Sequence, residues 1–247
     1  MTVILVPYHL DGLLPDLDVP AVPQRLVAAP DLPTGDVYTR VAGLYDALAG
    51  EVATAPGVPV VVTGDCLSAL GVVAGLQRRG VDPAVVWFDA HGDLHTPDTT
   101  TSGYVGGMPL RMLIGDGDRT IATRTGLRPT APDRVVLVDG RDLDPAERAY
   151  LDAGPVRQLP VDDLTAADLR AGPLYLHVDL DVVDPDEVPG LRFPAPGGPS
   201  LTAVGAAARR VLDTGRVAGM TLACTWHPGH QAATATEDLV DALLGDM

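Results

Sequence analysis

Short apolar runs rich in Val, Ile and Leu recur along the chain and constrain its fold more than any other feature. They do not alternate polar with apolar residues, which is typical of parallel strands covered on both faces. The predicted strands are Thr2–Pro7, Pro59–Thr63, Ala84–Asp89, Arg134–Val138, Leu174–Asp181 and Val217–Thr225. The predicted helices between and after them are Gly35–Ala53, Cys66–Arg79, Gly107–Ile114, Pro145–Ala153, Thr165–Ala171, Leu201–Thr214 and Thr234–Gly245. This alternation predicts an α/β fold with a mainly parallel sheet. Without a repeat or a linker-like break, we expect residues 1–247 to form a single domain.

The composition indicates a filled core and argues against some classes of partner. Hydrophobic residues make up 46% of the chain, more than a disordered protein contains. The formal net charge of −16 disfavours nucleic acid and anionic membranes as partners, because both attract clustered Lys and Arg. Two cysteines imply no disulfide framework, and the N-terminal MTVILVPYHLDG lacks the flanks of a signal peptide. We therefore expect a soluble, cytoplasmic protein.

Three of the predicted strands end in polar clusters, and the carboxyl ends of parallel strands are where α/β proteins bind ligands. The clusters are TGDC at Thr63–Cys66, DAHGDLH at Asp89–His95 and DLDVVDPD at Asp179–Asp186. Any one of them alone fits ordinary turn and helix-cap chemistry. In two of them, however, Asp89 with His91 and Asp179 with Asp181 are spaced by two, which sends both side chains of a pair to one face. The clusters together predict a functional site.

Several carboxylates that converge in one place repel one another and are costly to bury unless a cation neutralises them. Carboxylate oxygens combined with one or two imidazoles suit Mn²⁺, Fe²⁺ or Zn²⁺ better than Ca²⁺, which prefers oxygen alone. Four or more carboxylates exceed the needs of one divalent ion, whereas a bridged pair of ions uses them all. The sequence therefore predicts a binuclear metal site at the strand ends.

The same segments resemble a known family. DAHGDLHTP and HVDLDVVDPDEVPG are similar to the two signature segments of the ureohydrolases, the group of arginases, agmatinases and formiminoglutamases. GDCLSALG resembles the family's first signature, SGYVGGMPL its substrate loop and VDGRDLDPAE its mid-chain segment, all in the family's order. The two Asp-rich segments are specific when taken together, and the other three alone are weak.

The resemblance implies a fold, an assembly and a chemistry. The expected fold is a three-layer α/β/α arginase-like domain, and the expected cofactors are two divalent ions, with Mn²⁺ favoured. The family commonly forms trimers or hexamers, so the resemblance also implies a homo-oligomer. The expected activity is the hydrolysis of a C–N bond in a small guanidino, amidino or formimino compound by a metal-bridging hydroxide.

The resemblance also implies a role for each residue of the Asp-rich segments. Asp89 and Asp179 would bridge the two ions. His91 and Asp181 would complete the shell of one ion, and Asp93 would belong to the other. Asp93 would also orient the nucleophile by hydrogen bonding, and the paired cations would lower the pKa of the attacking water. The substrate segments would place His95, Ser102 and Gly106 beside the substrate.

One departure from the family pattern affects the metal site. Where the first signature supplies a histidine ligand, this chain has Cys66. A Cys66 thiolate would be a metal ligand and would favour Zn²⁺ or Fe²⁺ over Mn²⁺. A Cys66 thiol would instead be a small buried residue that opens a helix, and one ion would have lost a ligand. The sequence leaves both interpretations open.

Two more departures affect the substrate. Arginases carry a histidine where this chain has Gly106, and their acidic guanidinium partner falls near Cys224–Thr225, where no Asp or Glu is present. A buried guanidinium without a carboxylate partner is costly, which argues against free arginine as the substrate. His95 replaces an asparagine, and His227 and His230 follow the last strand, so His95 and His227 are candidate catalytic groups. We expect His227→Ala to lower turnover and to leave metal content unchanged.

Two hypotheses follow from these observations. The first is a metal-dependent hydrolase that acts on a small guanidino, amidino or formimino compound other than free arginine. The second is a catalytically degenerate arginase-fold protein that binds a ligand or one metal ion without turnover, for which ligand-induced stabilisation would be the sign. Amide deacetylation ranks last, because no segment matches the histidine pair of that chemistry.

Overall fold

The computed structural model describes residues 1–28, 31–154 and 156–245 and is built around one parallel sheet. In chain order the strands are β1 (Thr2–Val6), β2 (Tyr8–His9), β3 (Gly12–Leu13), β4 (Arg25–Leu26), β5 (Pro59–Thr63), β6 (Ala84–His91), β7 (Val135–Asp142), β8 (Arg157–Leu159), β9 (Leu174–Asp179) and β10 (Val217–Ala223). β2 and β3 form a small antiparallel ladder. The other eight form a parallel sheet in the order β4-β1-β5-β10-β9-β6-β7-β8.

Seven α-helices connect or follow the strands within the described part of the chain. They are α1 (Val37–Thr54), α2 (Ala69–Arg78), α3 (Pro109–Ile114), α4 (Thr120–Thr125), α5 (Pro145–Ala153), α6 (Leu201–Leu212) and α7 (Ala232–Leu244). Asp36 accepts a hydrogen bond from the Thr39 backbone NH and starts α1, and Ser200 starts α6 in the same way. None of the described helices is long and apolar enough to cross a membrane.

The helices cover the sheet on both faces. α1 to α5 pack on one face over Trp87, Leu137 and Tyr175, whereas α6 and α7 pack on the other over Phe88 and Leu176. The connections from β5 to β8 run one way across the sheet, and the connection from β9 to β10 runs the other way. Right-handed crossovers therefore place α6 opposite α1 to α5. The predicted three-layer α/β/α fold with a mainly parallel sheet is confirmed.

The differences from the sequence-based prediction lie at the periphery, and the short β2–β3 ladder, which was not predicted, is the first of them. The edge strands Arg25–Leu26 and Arg157–Leu159 were not predicted, because neither has the apolar run of a central strand. The predicted helix Thr165–Ala171 is wrong, since only a single 3₁₀ turn forms at Ala166–Asp168. Thr165 and Asp168 hydrogen-bond each other there and compete with helix propagation. The short helix Thr120–Thr125 was also missed.

The strand order prepares a crevice in the middle of the sheet. In chain order, β1 and β5 form one half of the sheet and β6, β7 and β8 form the other half. The last two strands, β9 and β10, then lie between these halves. The order of strands therefore reverses at the centre, and α/β sheets bind ligands beyond the carboxyl ends of strands at such a point. The carboxyl ends of β5, β10, β9 and β6 meet there.

Candidate metal centre and its pocket

The register of the central strands brings the Asp-rich segments together. Phe88 of β6 pairs with Val178 of β9, so Asp89 and Asp179 leave neighbouring strands side by side. Both side chains lie on the face that carries Trp87 and Tyr175, because alternate residues of a strand share a face. Ala223 of β10 pairs with both Asp179 and Thr63, which aligns the TGDC turn with the same edge.

A pocket opens above this edge and is strongly acidic. Its lining residues are Asp65, Cys66, Asp89, His91, Asp93, His95, Tyr104, Gly106, Gly107, Asp142, Asp144, Glu147, Asp179, Asp181, Phe193 and Thr225. Eight of these residues carry a carboxyl group, and none of them is Lys or Arg. Carboxylates so concentrated repel one another unless cations share the space. The pocket therefore has the electrostatics of a site for metal ions and for positively charged ligands.

One group of potential metal ligands is formed by Asp89, His91 and Asp181, whose donor atoms lie within 4.8 Å of one another. His91 Nδ1 is 3.3 Å from Asp89 Oδ1 and 3.2 Å from Asp181 Oδ2. Burial alone would lower the pKa of His91, but the hydrogen bonds to Asp181 and Asp89 outweigh it and raise this pKa to about 12. Burial raises the pKa of Asp181 to about 6. A divalent cation bound by this group would replace the hydrogen bonds that His91 Nδ1 makes to the two carboxylates.

A second group consists of Cys66, Asp89 and His177, whose donor atoms also lie within 4.8 Å of one another. Cys66 Sγ donates a hydrogen bond of 2.7 Å to Asp179 Oδ2. Burial raises the pKa of the Cys66 thiol well above its usual range, and the charge of Asp179 adds to the effect. The thiol is therefore protonated unless a metal ion displaces its proton. The two groups share Asp89.

Asp93 lies beside both groups without belonging to either. Its side chain is buried, and Oδ2 has no hydrogen-bond partner among the described residues. The backbone at Asp93 has φ of 53°, in the left-handed region that Asp tolerates better than most residues. Burial and the charge of Asp89 raise the pKa of Asp93 well above its usual range. An unpartnered carboxylate oxygen aimed into a carboxylate-rich pocket fits a divalent cation, and the donor set as a whole fits two.

Two side chains with no role in the sequence-based prediction orient Asp89 and Asp179. Trp87 Nε1 donates to Asp89 Oδ2 at 3.0 Å, and Thr225 Oγ1 donates to Asp179 Oδ1 at 2.7 Å. The family resemblance places an acidic substrate contact near Cys224–Thr225, and Thr225 instead supports the Asp179 carboxylate. The period of two along β6, with Trp87 two residues before Asp89, was the available signal for the first contact. The second joins residues 46 positions apart and has no local signal.

Glu147 is a further buried carboxylate that the sequence analysis passed over. Its Oε1 accepts from the Leu94 backbone NH and its Oε2 from the Asp144 backbone NH, both at 3.0 Å. A Cβ at Gly92 would lie 2.7 Å from Oε1, so only glycine lets Glu147 approach this closely. The capping-box spacing from Asp144 to Glu147 was the available signal. Glu147 holds the segment that carries Asp93 and His95.

His95 lies on the wall of the pocket and is bound at both ring nitrogens. Its Nε2 is 3.0 Å from Asp144 Oδ2, and its Nδ1 is 3.2 Å from Thr99 Oγ1. The side chain of His95 is nearly buried, whereas that of Asp144 is more than half exposed. His95 therefore sits between the metal-ligand groups and the solvent-exposed carboxylates at the mouth.

Gly106 lines the pocket, and the space beside it is taken by Tyr104. A Cβ at position 106 would lie 2.3 Å from the Tyr104 phenol oxygen. The Tyr104 hydroxyl is 3.1 Å from His9 Nε2, and His9 Nδ1 is 3.0 Å from the Gly64 carbonyl oxygen. If Nδ1 carries the ring proton and donates to that carbonyl, Nε2 accepts from Tyr104. A phenol thus occupies the space of the side chain that position 106 lacks.

The remaining predicted residues lie away from the pocket lining. Ser102 is exposed, and its Oγ accepts from the Tyr104 backbone NH at 3.2 Å. His227 and His230 are exposed beyond β10, with ring centroids 6.4 Å apart. The structure brings together the predicted residues Cys66, Asp89, His91, Asp93, His95, Gly106, Asp179 and Asp181. It does not bring Ser102, His227 or His230 among them.

The sequence matches proteins of known function. Residues 16–246 match the family model described as Arginase family. The chain is 31% identical over 208 residues to the arginase of Bacillus subtilis (strain 168), a match that covers 76% of this chain and 69% of that protein. It is 35% identical over 134 residues to the N(omega)-hydroxy-L-arginine amidinohydrolase of Streptomyces lavendulae, which covers 53% of this chain and only 47% of that protein.

Solved structures show the same likeness. The crystal structure of arginase from Bacillus subtilis superposes with a TM-score of 0.83 at 25% identity and covers 99% of both chains. The formimidoylglutamase of Bacillus subtilis subsp. subtilis str. 168 superposes with a TM-score of 0.68 at 17% identity, over 98% of this chain and 86% of that one, and shares the fold alone. Together with the family match over nearly the whole length, these likenesses show that the chain belongs to the arginase family of ureohydrolases.

Proposed function

We propose that this protein is a metal-dependent hydrolase of a small, positively charged guanidino, amidino or formimino compound other than free arginine. The observation that carries the proposal is the convergence of Asp89, His91, Asp93, Asp179 and Asp181 at the floor of one acidic pocket. Two divalent ions, Mn²⁺ in the first instance, would supply a hydrolytic nucleophile there at neutral pH and polarise the bond that is cleaved. Family membership supports hydrolysis of amidino-type C–N bonds.

The residues of the chain divide the remaining work. Asp89 and Asp179, oriented by Trp87 and Thr225, would hold the cations. Asp93 has one carboxylate oxygen without a partner among the described residues, and this carboxylate orients the nucleophile. Glu147 accepts a hydrogen bond from the backbone NH of Leu94, the residue after Asp93, and so keeps the Asp93 carboxylate in position.

The walls of the pocket select the substrate. Asp142 and Asp144 are more than half exposed at the mouth and attract a cationic group. Burial raises the pKa of the Tyr104 phenol, so this hydroxyl stays protonated at neutral pH. Its hydrogen is donated to His9 Nε2, and its oxygen can accept a hydrogen bond from a substrate N–H. At the position of the acidic residue that pairs with guanidinium in arginases, Cys224 is fully buried and the Thr225 hydroxyl donates to Asp179. Neither residue offers a carboxylate to a guanidinium group. This supports a substrate other than free arginine.

The test is a hydrolysis screen with the full chain. Metal-free protein is reconstituted with Mn²⁺, Zn²⁺ or Fe²⁺, singly and in pairs, and release of the amine product is measured from guanidino, amidino and formimino compounds. We expect turnover of at least one non-arginine compound, abolished in Asp181→Asn. Asp186→Asn is the matched control, since this exposed carboxylate lies on the same loop outside the pocket lining. Absence of turnover with every metal would overturn the proposal.

The alternative function is ligand or metal binding without turnover. It is favoured by the Cys66 thiol, which donates to Asp179 at the position of a family histidine ligand. A guanidino compound that raises the melting temperature of the metal-loaded protein but is never hydrolysed would support it. Assembly as a trimer or hexamer stays a prediction, to be measured by the mass of the protein in solution.

A further inference from the structure

His177 is the buried side chain near the pocket that the proposed function leaves unused. It lies on β9 two residues before Asp179, is fully buried and stacks on Trp87 with ring centroids 3.6 Å apart. Its Nε2 has no hydrogen-bond partner among the described residues. A buried polar atom without a partner in a native protein calls for an explanation, and a role in binding an ion is one of the usual ones.

The surroundings of His177 are those of a metal ligand. Its Nε2 and Nδ1 are the only ring positions able to donate electrons to a metal, and one of them lies within 4.8 Å of donor atoms of Cys66 and Asp89. Nδ1 is 3.3 Å from the Tyr175 hydroxyl, which is itself 2.7 Å from Thr221 Oγ1. Metal-binding histidines usually donate their second ring NH to such a partner, which orients the ring and leaves the other nitrogen free to bind.

We propose that Cys66, Asp89 and His177 are the protein ligands of one metal ion and that this ion is Zn²⁺ rather than Mn²⁺. Thiolate, imidazole and carboxylate together are a donor set of zinc, whereas Mn²⁺ prefers oxygen and binds thiolate weakly. Asp179 Oδ2, already 2.7 Å from Cys66 Sγ, supplies a fourth donor. When the ion binds, a bond forms between the metal and Sγ, and the proton that the thiol now shares with Asp179 is released to solvent.

This inference rests on the proposed function only in taking the pocket to be a metal site. The imidazole that the sequence lacks at position 66 is supplied from position 177, on a strand that follows more than a hundred residues later. His177 is fully buried on β9, between β10 and β6, and does not itself line the pocket. Asp93 lies outside this donor set.

The test is a titration of the metal-free full chain with Co²⁺, a spectroscopic substitute for Zn²⁺. We expect a thiolate-to-cobalt charge-transfer absorption in the wild type and none in Cys66→Ser. In His177→Phe, which keeps a ring to stack on Trp87, we expect Co²⁺ affinity at this site to fall at least about tenfold. Cys224→Ser is the matched control, because this second buried cysteine belongs to neither ligand group, and it should leave the absorption unchanged.

Two further measurements keep the outcomes distinct. Metal-free His177→Phe should unfold at no lower temperature than metal-free wild type, which separates a lost ligand from a damaged fold. In competition, Zn²⁺ should displace the absorbing Co²⁺ at a concentration at least about tenfold below that of Mn²⁺.

The outcomes for this inference and for the hydrolase proposal differ. Unchanged Co²⁺ affinity and spectrum in His177→Phe, or a wild type without thiolate absorption, would overturn the Cys66–Asp89–His177 site even if hydrolysis is observed. Charge-transfer absorption that persists in Asp181→Asn, together with failure of the hydrolysis screen, would support this site and reject the hydrolase proposal.

Discussion

The two ligand groups at the floor of the pocket share Asp89 but differ in chemistry and access. Asp89, His91 and Asp181 form the outer group, in which the His91 side chain is 28% exposed. Cys66, Asp89 and His177 form the inner group, in which every member is buried. The outer group consists of residues that the family resemblance implies, whereas the inner group keeps Asp89 and adds Cys66 and His177, which the resemblance does not imply. Under the assignment proposed above, the comparison teaches that one half of a binuclear site can differ in its donors while the shared carboxylate and the fold stay in place.

The largest effect is expected from the residue that the two groups share. Asp89→Asn keeps the shape of the side chain but removes the charge that both groups use. Loss of residues that only support a ligand costs about 10–100-fold in metal affinity, so loss of a shared ligand should cost more than about 100-fold at both groups. Metal content measured after dialysis checks this. Retention of one full equivalent would show that the groups are independent. Asp98→Asn, an exposed carboxylate nearby in the chain, should bind metal like the wild type.

Metal removal should affect stability in a pH-dependent way that belongs to the outer group. Burial raises the pKa of Asp181 from 3.8 to about 6, so between these values this carboxyl keeps its proton in the folded metal-free chain but loses it in the unfolded chain. The contribution of Asp181 to the free energy of unfolding therefore falls as the pH rises through this window. A divalent ion favours the ionised carboxylate and offsets the loss.

The rise in melting temperature on metal loading should therefore be larger above pH 6 than below pH 3.8. Calorimetry with and without chelator across this range measures it. Asp181→Asn should weaken the pH dependence, and a metal-induced shift that is the same at all pH values would contradict the assignment.

A smaller effect is expected at Thr225, which orients Asp179 beside the inner group. Thr225→Val has nearly the same volume but removes the hydroxyl that donates to Asp179 Oδ1. Because a supporting partner of a metal ligand is lost, metal affinity should fall about 10–100-fold, and Thr225→Ser should restore it. Titration of the metal-free variants measures the change. Equal affinity in Thr225→Val and wild type would show that Asp179 needs no such support.

The smallest effect is expected at His227, which lies outside both groups. The sequence predicted that His227→Ala lowers turnover with metal content unchanged. Since His227 is exposed and does not line the pocket, we now expect turnover within about twofold of the wild type, as for an ordinary surface substitution. Steady-state rates of the reconstituted enzyme decide between the two expectations. A large loss of turnover would place His227 in the mechanism after all.

Elements with a strong local pattern were predictable, and those that depend on distant partners were not. The central strands follow from runs of Val, Ile and Leu, because such runs must be buried on both faces. The edge strands Arg25–Leu26 and Arg157–Leu159 lack that pattern and exist because a neighbouring strand offers free hydrogen-bonding groups. The turn at Thr165–Asp168 shows the converse, since local side-chain hydrogen bonds there override a helix-like composition.

In the candidate site, too, the contacts with a local sequence pattern were predictable and those between distant residues were not. The period of two in Asp89–His91 and Asp179–Asp181 predicted that these side chains converge, and the strand register places the two segments side by side. His177 has the same spacing, two residues before Asp179, but this spacing does not distinguish a core histidine from a metal ligand. The sequence also gave no indication of a role for Tyr104. In the structure its phenol fills the space beside Gly106 and hydrogen-bonds His9.

The sequence by itself determined the class of fold, the family and the acidic strand ends, because hydrophobic patterning and the spacing of like charges are properties of neighbours along the chain. Only the tertiary structure decided which groups face one another. The Cys66–His177 pairing depends on the order in which β5, β9 and β6 enter the sheet, and the commitment of Thr225 to Asp179 depends on the register of β10. Strand order and register are set by packing across the whole domain, which no local window of sequence contains.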